Sequence, residues 1–470
     1  MAKVKSQTKI VNKIMKEVDL VRDTHGTPHA IWQEHSGKQV HPLDAGEVTH
    51  LISRYCLAND GNLPSKHIVD GIRNELAFYT TENGQVKNIA TRVGHHEGSV
   101  FLDLGKPGVM KVSKKKFELV EESEVLFRQS PLIASLPIPD LEAKGTAKRI
   151  TRYVNVRKRD RVLILSWAMS LFLPGGTYPL LAMYGKQGSA KSTTLTMLKQ
   201  MLDPSEVPII AMPKNEVALF IASKSYKMMP IDNVSKIGGN MSDAMCQLAS
   251  GGSIAGRTLY TNSGLTVIDG HSLISLNGIG LEISRQDLLS RTLVIEAPPL
   301  DGKHKPQKEL VATFKKDHPV ILGSMLKGVQ LALNRLETVT SNSTHRMADF
   351  INWSIAWAPA FGLKESIVEK RLLDNWKEGQ RHGLASDRFA SGFIEFIKTQ
   401  KTFNGSATEL FDHMKLHAKV NDWDISFWPT SATGLGKRLS LLEDALIDAG
   451  VSLRKSRNKR GTILTIKYKK

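Results

Sequence analysis

The stretch Tyr184 to Leu198, "YGKQGSAKSTTLTML", decides how this chain is read. The residues leading into it, "PLLAMYG", form an apolar run suited to a buried strand, and "KSTTLTMLKQML" behind it carries helical periodicity. A strand, a glycine loop, then Lys191 and Ser192 opening a helix is the context of a phosphate-binding loop. Gly185, Gln187, Gly188, Ser189, Ala190 and Thr193 would line the cradle, with backbone N–H groups directed at the β- and γ-phosphates of ATP. Lys191 would neutralise their oxygens, and Ser192 would ligate Mg²⁺. Ala190 stands where the usual pattern has glycine; a methyl is tolerable there if the backbone is already right-handed helical, which is the expectation. The bland alternative is a chance glycine turn before a helix.

A phosphate loop needs a metal partner on a neighbouring strand. The apolar run in "YKMMPIDNVSKI" ends in Asp232, about 40 residues downstream, as a Walker-B strand would. Asp232 is therefore the second expected Mg²⁺ residue, the alternative being an Asp-Asn turn. Asn233 occupies the place where many ATPases carry a water-polarising glutamate, which leaves the base unassigned. Farther on, "HSLISLNGIGLEISRQDLLSRTLVIEAPPL" puts Asn277 at the end of another apolar strand, placed to orient the attacking water. Arg285 and Arg291 follow, and arginines so placed can reach a neighbouring subunit's γ-phosphate; the alternative for either is a surface ion pair with Asp287.

Composition sets the frame around these motifs. The chain has 470 residues, 41% hydrophobic, enough for a sizeable core and two to four domains. Its 64 Lys and Arg against 46 Asp and Glu give a formal net charge of +18, which favours a polyanionic partner, DNA first among them, over a merely solvated basic surface. Cys56 and Cys246 are too few for a disulfide framework or a four-cysteine zinc site. The basic N-terminus lacks the apolar core of a secretory signal, and the apolar stretch Val162 to Gly185 is broken by Pro174-Gly175-Gly176. The expectation is an intracellular protein with no membrane contact.

Four parts are expected: an N-terminal α+β domain over 1–140, an α/β ATPase domain over 146–300, a helical lid or bundle over 301–400, and a winged-helix domain over 405–470. "LPIPDLEAKG", Leu136 to Gly145, reads as the first linker. In the last part, a helix capped by Ser406 precedes a second with Leu435, Leu439, Leu442 and Leu446 on one face and Gly450 as its stop. A basic hairpin follows, with Arg454, Lys455, Arg457, Lys459 and Arg460 expected on DNA phosphates and Lys437 and Arg438 of the preceding helix near the groove. The alternative is a solvated C-terminal fray.

The succession "GKQGSAKST", "IDNVSKI", "GRTLYTN", "SLNGI", "RQDLLSRTL" and "RMADFINW" resembles the AAA+ module of replication proteins from mobile elements, the Rep and Cch-type, MCM-like helicases of bacterial cassettes, pathogenicity islands and prophages. The resemblance covers roughly Ile89 to Phe361. It implies an AAA+ P-loop fold and a homo-hexameric, ATP-driven 3′–5′ DNA helicase or initiator. Such a protein works in the bacterial cytoplasm, at the nucleoid, on single-stranded and origin duplex DNA, with a primase or polymerase as a further partner. By position it assigns Lys191 and Ser192 to Walker A, Asp232 to Walker B and Asn277 to the sensor, and Asn233 is similar to the family's own pattern at that place. It also implies a pore hairpin in "RTLYTNSGLTVIDGHSLISL", whose tip at Asp269-Gly270-His271 makes His271 a DNA candidate, against an ordinary type I′ turn at "DG". No primase motif or zinc ribbon accompanies it. Two other readings stay open: an origin-binding protein regulated by nucleotide without processive unwinding, and a P-loop small-molecule kinase, against which the charge and the basic tail argue.

Overall fold

The computed structural model describes residues 2–34, 37–143, 147–257, 265–283, 285–300, 307–426, 428–458 and 461–469. At its centre is a five-stranded, all-parallel sheet. Its strands are β1 (Leu180–Tyr184), β2 (Ile210–Ala211), β3 (Met228–Asp232), β4 (Leu273–Gly278) and β5 (Thr292–Glu296), in the spatial order β2-β3-β4-β1-β5. Parallel strands need crossovers that cover both faces, so these segments read as continuous apolar runs, and all six residues of β4 are buried. The main crossovers are helices α1 (Lys191–Leu202), α2 (Glu216–Ser223) and α3 (Gly239–Ala249). Because the strands are parallel, every loop at their C-terminal ends, including Gly185 to Ala190, opens at one edge of the sheet.

Three long helices follow: α4 (Gln307–Arg335), α5 (Ala348–Trp357) and α6 (Glu365–Ser386). They do not stand off as a separate lid. Phe350, Trp353 and Trp357 share one core with Leu181 of β1 and Leu195 of α1. Helix α6 closes the open edge of β5: the Asn375 amide donates to the Val294 carbonyl at 2.7 Å and accepts from its N–H at 3.0 Å, standing in for a missing strand neighbour.

The N-terminal residues form two bodies. Helices Ala2–Glu17, Gly46–Asp60 and Lys66–Asn83 pack with a four-stranded sheet over 19–42 and 85–86 around Ile14, Leu51, Ile52 and Ile72. The antiparallel meander Val93–His96, Ser99–Asp103, Val109–Val112 and Phe117–Val120 instead buries Val100, Leu102 and Val112 in the same core as Leu163, Leu181 and Trp353. The expected linker is corrected accordingly. From Leu136 to Ala143 the chain is a packed strap: Leu136 is buried and donates its N–H to Leu104, and Asp140 donates to the Pro319 carbonyl of α4. Gly323 permits that approach, since a Cβ there would meet the Asp140 carbonyl oxygen at 2.1 Å.

Residue 92 locks this arrangement. Arg92 is fully buried, with its Nε donating to Asp203 at 3.0 Å and its other nitrogens to the carbonyls of Asp103, Ala134 and Pro204. Asp203, just past α1, also accepts from Lys199 at 2.6 Å. A buried carboxylate is thus shared by two buried cations, an arrangement stable only because every partner is satisfied.

The C-terminal body starts earlier than the expected 405. Helix α7 (Arg388–Gln400) contributes Phe389, Phe393 and Phe396 to a core separate from that of the sheet, shared with strand β6 (Thr402–Ser406), helix α8 (Ala407–Val420), helix α9 (Ala432–Leu441) and the hairpin β7 (Val451–Asn458) and β8 (Gly461–Tyr468). The three strands pair antiparallel in the order β6-β8-β7. Ser406 and Glu409 form a reciprocal capping box at the start of α8. The expected single leucine-faced helix is in fact broken at Leu442, which leaves α9 and a short helix Glu443–Asp448; Leu435, Leu439, Leu442 and Leu446 still share the core.

Candidate nucleotide site

Two residues with positive φ, Gly185 and Ala190, shape the loop after β1 at its two ends. Gly185 has φ +145°, and a Cβ on it would meet the Ala297 carbonyl oxygen at 2.7 Å, so only glycine fits against the end of β5. Ala190 corrects the expectation drawn from sequence: its φ of 54° and ψ of 30° are left-handed, not right-handed. This conformation costs an alanine roughly 1–2 kcal/mol, which the surrounding contacts must offset.

Lys191, first in α1, is buried and donates from Nζ to the carbonyls of Gly185 and Lys186, both at 2.8 Å. Burial pushes its ammonium below the ordinary lysine range, with the Asp232 carboxylate opposing that shift. Ser192 Oγ donates to Asp232 Oδ1 at 3.0 Å, and Asn277 Nδ2 lies 3.3 Å from the same hydroxyl. Asn277 Oδ1 accepts from the Asn233 N–H at 3.0 Å, so the ends of α1, β3 and β4 are tied through side chains. Asn233 is exposed, with a left-handed φ of 57° that asparagine tolerates. Gly278 belongs to the same junction, because any Cβ would strike the Val234 carbonyl oxygen at 2.0 Å.

Gln187 to Thr193, Asp232, Asn233, Asn277, Gly278 and Ile279 line a cavity of about 430 Å³. Asp232 is the one carboxylate among these lining residues. A larger cavity of about 1040 Å³ adjoins it around the first turn of α1, sharing Ala190, Ser192 and Thr193 and walled by Val154, Met197, Leu310 and Phe314. Polar loop and apolar chamber together match the two ends of a nucleoside phosphate. The hydroxyl of Ser192 and the carboxylate of Asp232 are hard oxygen donors a hydrogen bond apart, a pair that suits Mg²⁺ completed by water and phosphate.

The two arginines lie elsewhere. Arg291 immediately precedes β5, at the sheet edge opposite the loop, with NH1 donating to Ser250 Oγ at 2.7 Å and NH2 3.7 Å from Asp287. Arg285 is exposed and pairs with Asp243 at 2.6 Å, not with Asp287. Arg346, which sequence reasoning passed over, reaches from just before α5 to the Asp287 carboxylate and Ser290. Its only sequence signal was its place at the head of "RMADFINW".

Of the residues expected on DNA, two are corrected. His271 is no hairpin tip. Strands Ser253–Arg257 and Leu265–Asp269 do pair, but their connection, 258–264, lies outside the described residues, and Asp269-Gly270-His271 is the junction into β4. The His271 ring is half-buried and stacked on Tyr178, centroids 4.0 Å apart, and desolvation beside Lys227 lowers its pKa to about 3. Arg438 is half-buried and ion-paired with Asp387, so it braces α9 against the start of α7. Lys437, Arg454, Lys455 and Arg457 are exposed, with Lys455 donating to Ser440 Oγ; Lys459 and Arg460 lie outside the described residues.

With the geometry in place, comparison with known proteins gives the class. Residues 148–378 match the family model described as actinomycete integrative conjugative element replication protein, and residues 389–470 match the AICE RepA C-terminal domain. The chain is a mobile-element replication protein. Within that class it belongs with the replication proteins of integrative conjugative elements, which the two models cover over about two thirds of its length. No curated protein matches it. Among solved structures it is similar to the A-form apo structure of the NrS-1 C terminal region, at 10% identity, 97% coverage of each chain and a TM-score of 0.38. An apo structure of the same region matches at 11% identity, the same coverage and a TM-score of 0.35. Among the described residues, no helix is long and apolar enough to cross a membrane.

Proposed function

We propose that the chain is an ATP-hydrolysing motor and initiator of mobile-element replication, working as a homo-hexameric ring that translocates on DNA. The observation that carries this reading is the convergence of Ser192, Asp232 and Asn277 from three elements beside Lys191. The sheet order β2-β3-β4-β1-β5, with the loop on β1 between β4 and the edge strand β5, supports an AAA+ assignment. Helix, strand, two helices with a short third, and a hairpin, with the sheet order β6-β8-β7, support a winged-helix reading of the C-terminal body.

In this reading Lys191 leaves the loop carbonyls to meet phosphate oxygens, and the first turn of α1 directs its free N–H groups at them. Ser192 and Asp232 hold Mg²⁺, which when bound neutralises developing charge on the transferred phosphoryl group. Asn277, buried and fixed by the Asn233 amide, orients the attacking water. Arg291 or Arg285 completes the neighbouring subunit's site.

A second reading, a nucleotide-regulated origin binder without processive unwinding, is favoured by one observation: the cavity offers Asn233 where a water-polarising glutamate would stand. Strand displacement on forked DNA, with and without ATP and with Lys191→Ala as control, separates the two. ATP-dependent displacement supports the motor; origin binding and nucleotide binding without displacement support the initiator alone.

A further inference from the structure

The left-handed Ala190 poses a question that the phosphate loop alone does not answer: what keeps an alanine in a conformation glycine should hold? The peptide after Ala190 is fixed by the first helical turn, since its carbonyl accepts from Thr194 N–H at 2.9 Å. The peptide before it is fixed from outside the loop. Asn155, in the segment leading toward helix Arg161–Met169, donates from Nδ2 to the Ser189 carbonyl at 3.0 Å and to the Pro298 carbonyl at 2.7 Å. Its backbone N–H donates to Thr194 Oγ1 at 3.0 Å. One residue thus grips the peptide plane entering Ala190, the helix leaving it, and the chain just past β5.

A left-handed non-glycine residue persists only where its surroundings over-determine it. The cheapest relaxation of Ala190 is rotation of the Ser189–Ala190 peptide, and that rotation would carry the Ser189 carbonyl away from Asn155. We infer that Asn155 is a positioning residue for the nucleotide site, a strut that holds the loop in its phosphate-binding shape and so takes over the conformational role glycine has elsewhere. Asn155 touches no phosphate in this account; it acts through Ala190. The inference rests on the reading of this loop as a nucleotide site.

The test is a double-mutant cycle in the full chain, read by calorimetric titration with Mg·ADP. Asn155→Ala and Asn155→Asp, neither of which can donate from the side chain, weaken binding by about tenfold, because the binding-competent loop becomes a minor conformer. Ala190→Gly in the Asn155→Ala background restores affinity to within about threefold of Ala190→Gly alone, since glycine enters the left-handed region without a strut. An equal loss in the alanine and glycine backgrounds overturns the proposal. A second readout needs no nucleotide: amide hydrogen exchange over residues 186–194 rises in Asn155→Ala and falls back in the double variant. A merely structural asparagine would lower the melting temperature without this rescue. Should the wild type fail to bind Mg·ADP, the nucleotide reading fails, and exchange alone then decides whether Asn155 is the strut.

Discussion

The Leu180 N–H donates to the Arg291 carbonyl at 2.9 Å, at one end of a strand pair whose other end is Tyr184 against Glu296. Strands β1 and β5 run parallel, so the register puts Arg291 six residues along the strand direction, roughly 20 Å, from Gly185. An arginine side chain does not span that distance and turn back into the loop. Any action of Arg291 on phosphate is therefore on another subunit's.

Mixing experiments follow from this separation. Lys191→Ala and Arg291→Ala proteins, each inactive alone, are expected to recover part of the DNA-stimulated ATPase rate when combined, through interfaces that pair an intact loop with an intact arginine. Absence of rescue with Arg291→Ala and with Arg285→Ala alike would remove both from a trans role.

Loss of the lysine charge itself should be severe. Lys191→Ala is expected to lower turnover by about 10²–10³ or more, in line with removal of a fixed charge partner from a reacting centre. Asp232→Ala should retain some nucleotide binding and lose Mg²⁺-dependent turnover. Turnover near the wild-type rate in either variant, measured by phosphate release, would sink the assignment.

Stability should fall on mild acidification. Burial holds His95 and His318 at about 4 and, with Lys227 nearby, His271 at about 3, all below the ordinary histidine value. The unfolded chain takes up these protons first as pH drops below about 6.5, so stability is complete above that pH and declines toward pH 4. Each histidine contributes up to about 1.4 kcal/mol per pH unit. Chemical denaturation at several pH values checks this, and His271→Gln should flatten the slope.

On the C-terminal hairpin, exposure separates residues that sequence grouped together. Neutralising exposed Arg454 and Arg457 is expected to weaken DNA binding across sequences and reduce the salt slope by up to about 2. Arg438→Ala should instead lower the melting temperature, because it leaves the Asp387 carboxylate unpaired inside the α7–α9 junction. Titrations at several salt concentrations distinguish the two.

The sheet and its loop were legible because parallel strands buried on both faces leave continuous apolar runs, and because Gly185, Lys191, Asp232 and Asn277 stand at the ends of such runs. Side-chain struts leave no such trace. Nothing in local pattern marks Asn155, Asn375 or Arg92, whose roles come from partners far along the chain. The hairpin was misplaced for the opposite reason: Asp269-Gly270 looks like a turn, and only the pairing of Ser253 with Asp269 shows it to be the hairpin's open base, at the end away from the connection. Ala190 was misjudged because a residue's type sets which backbone regions are comfortable, not which one its neighbours impose.

The meander Val93–Val120 and its buried Arg92 carry a lesson for how such proteins exchange parts. A recombination junction placed at the proline-rich strap would strip Val100, Leu102 and Val112 from the core beneath the parallel sheet and strand the Asp203–Lys199 pair without its arginine. A graft that keeps these contacts begins near residue 89 and should keep a single cooperative transition for the sheet's core, whereas grafts cut at the strap should aggregate.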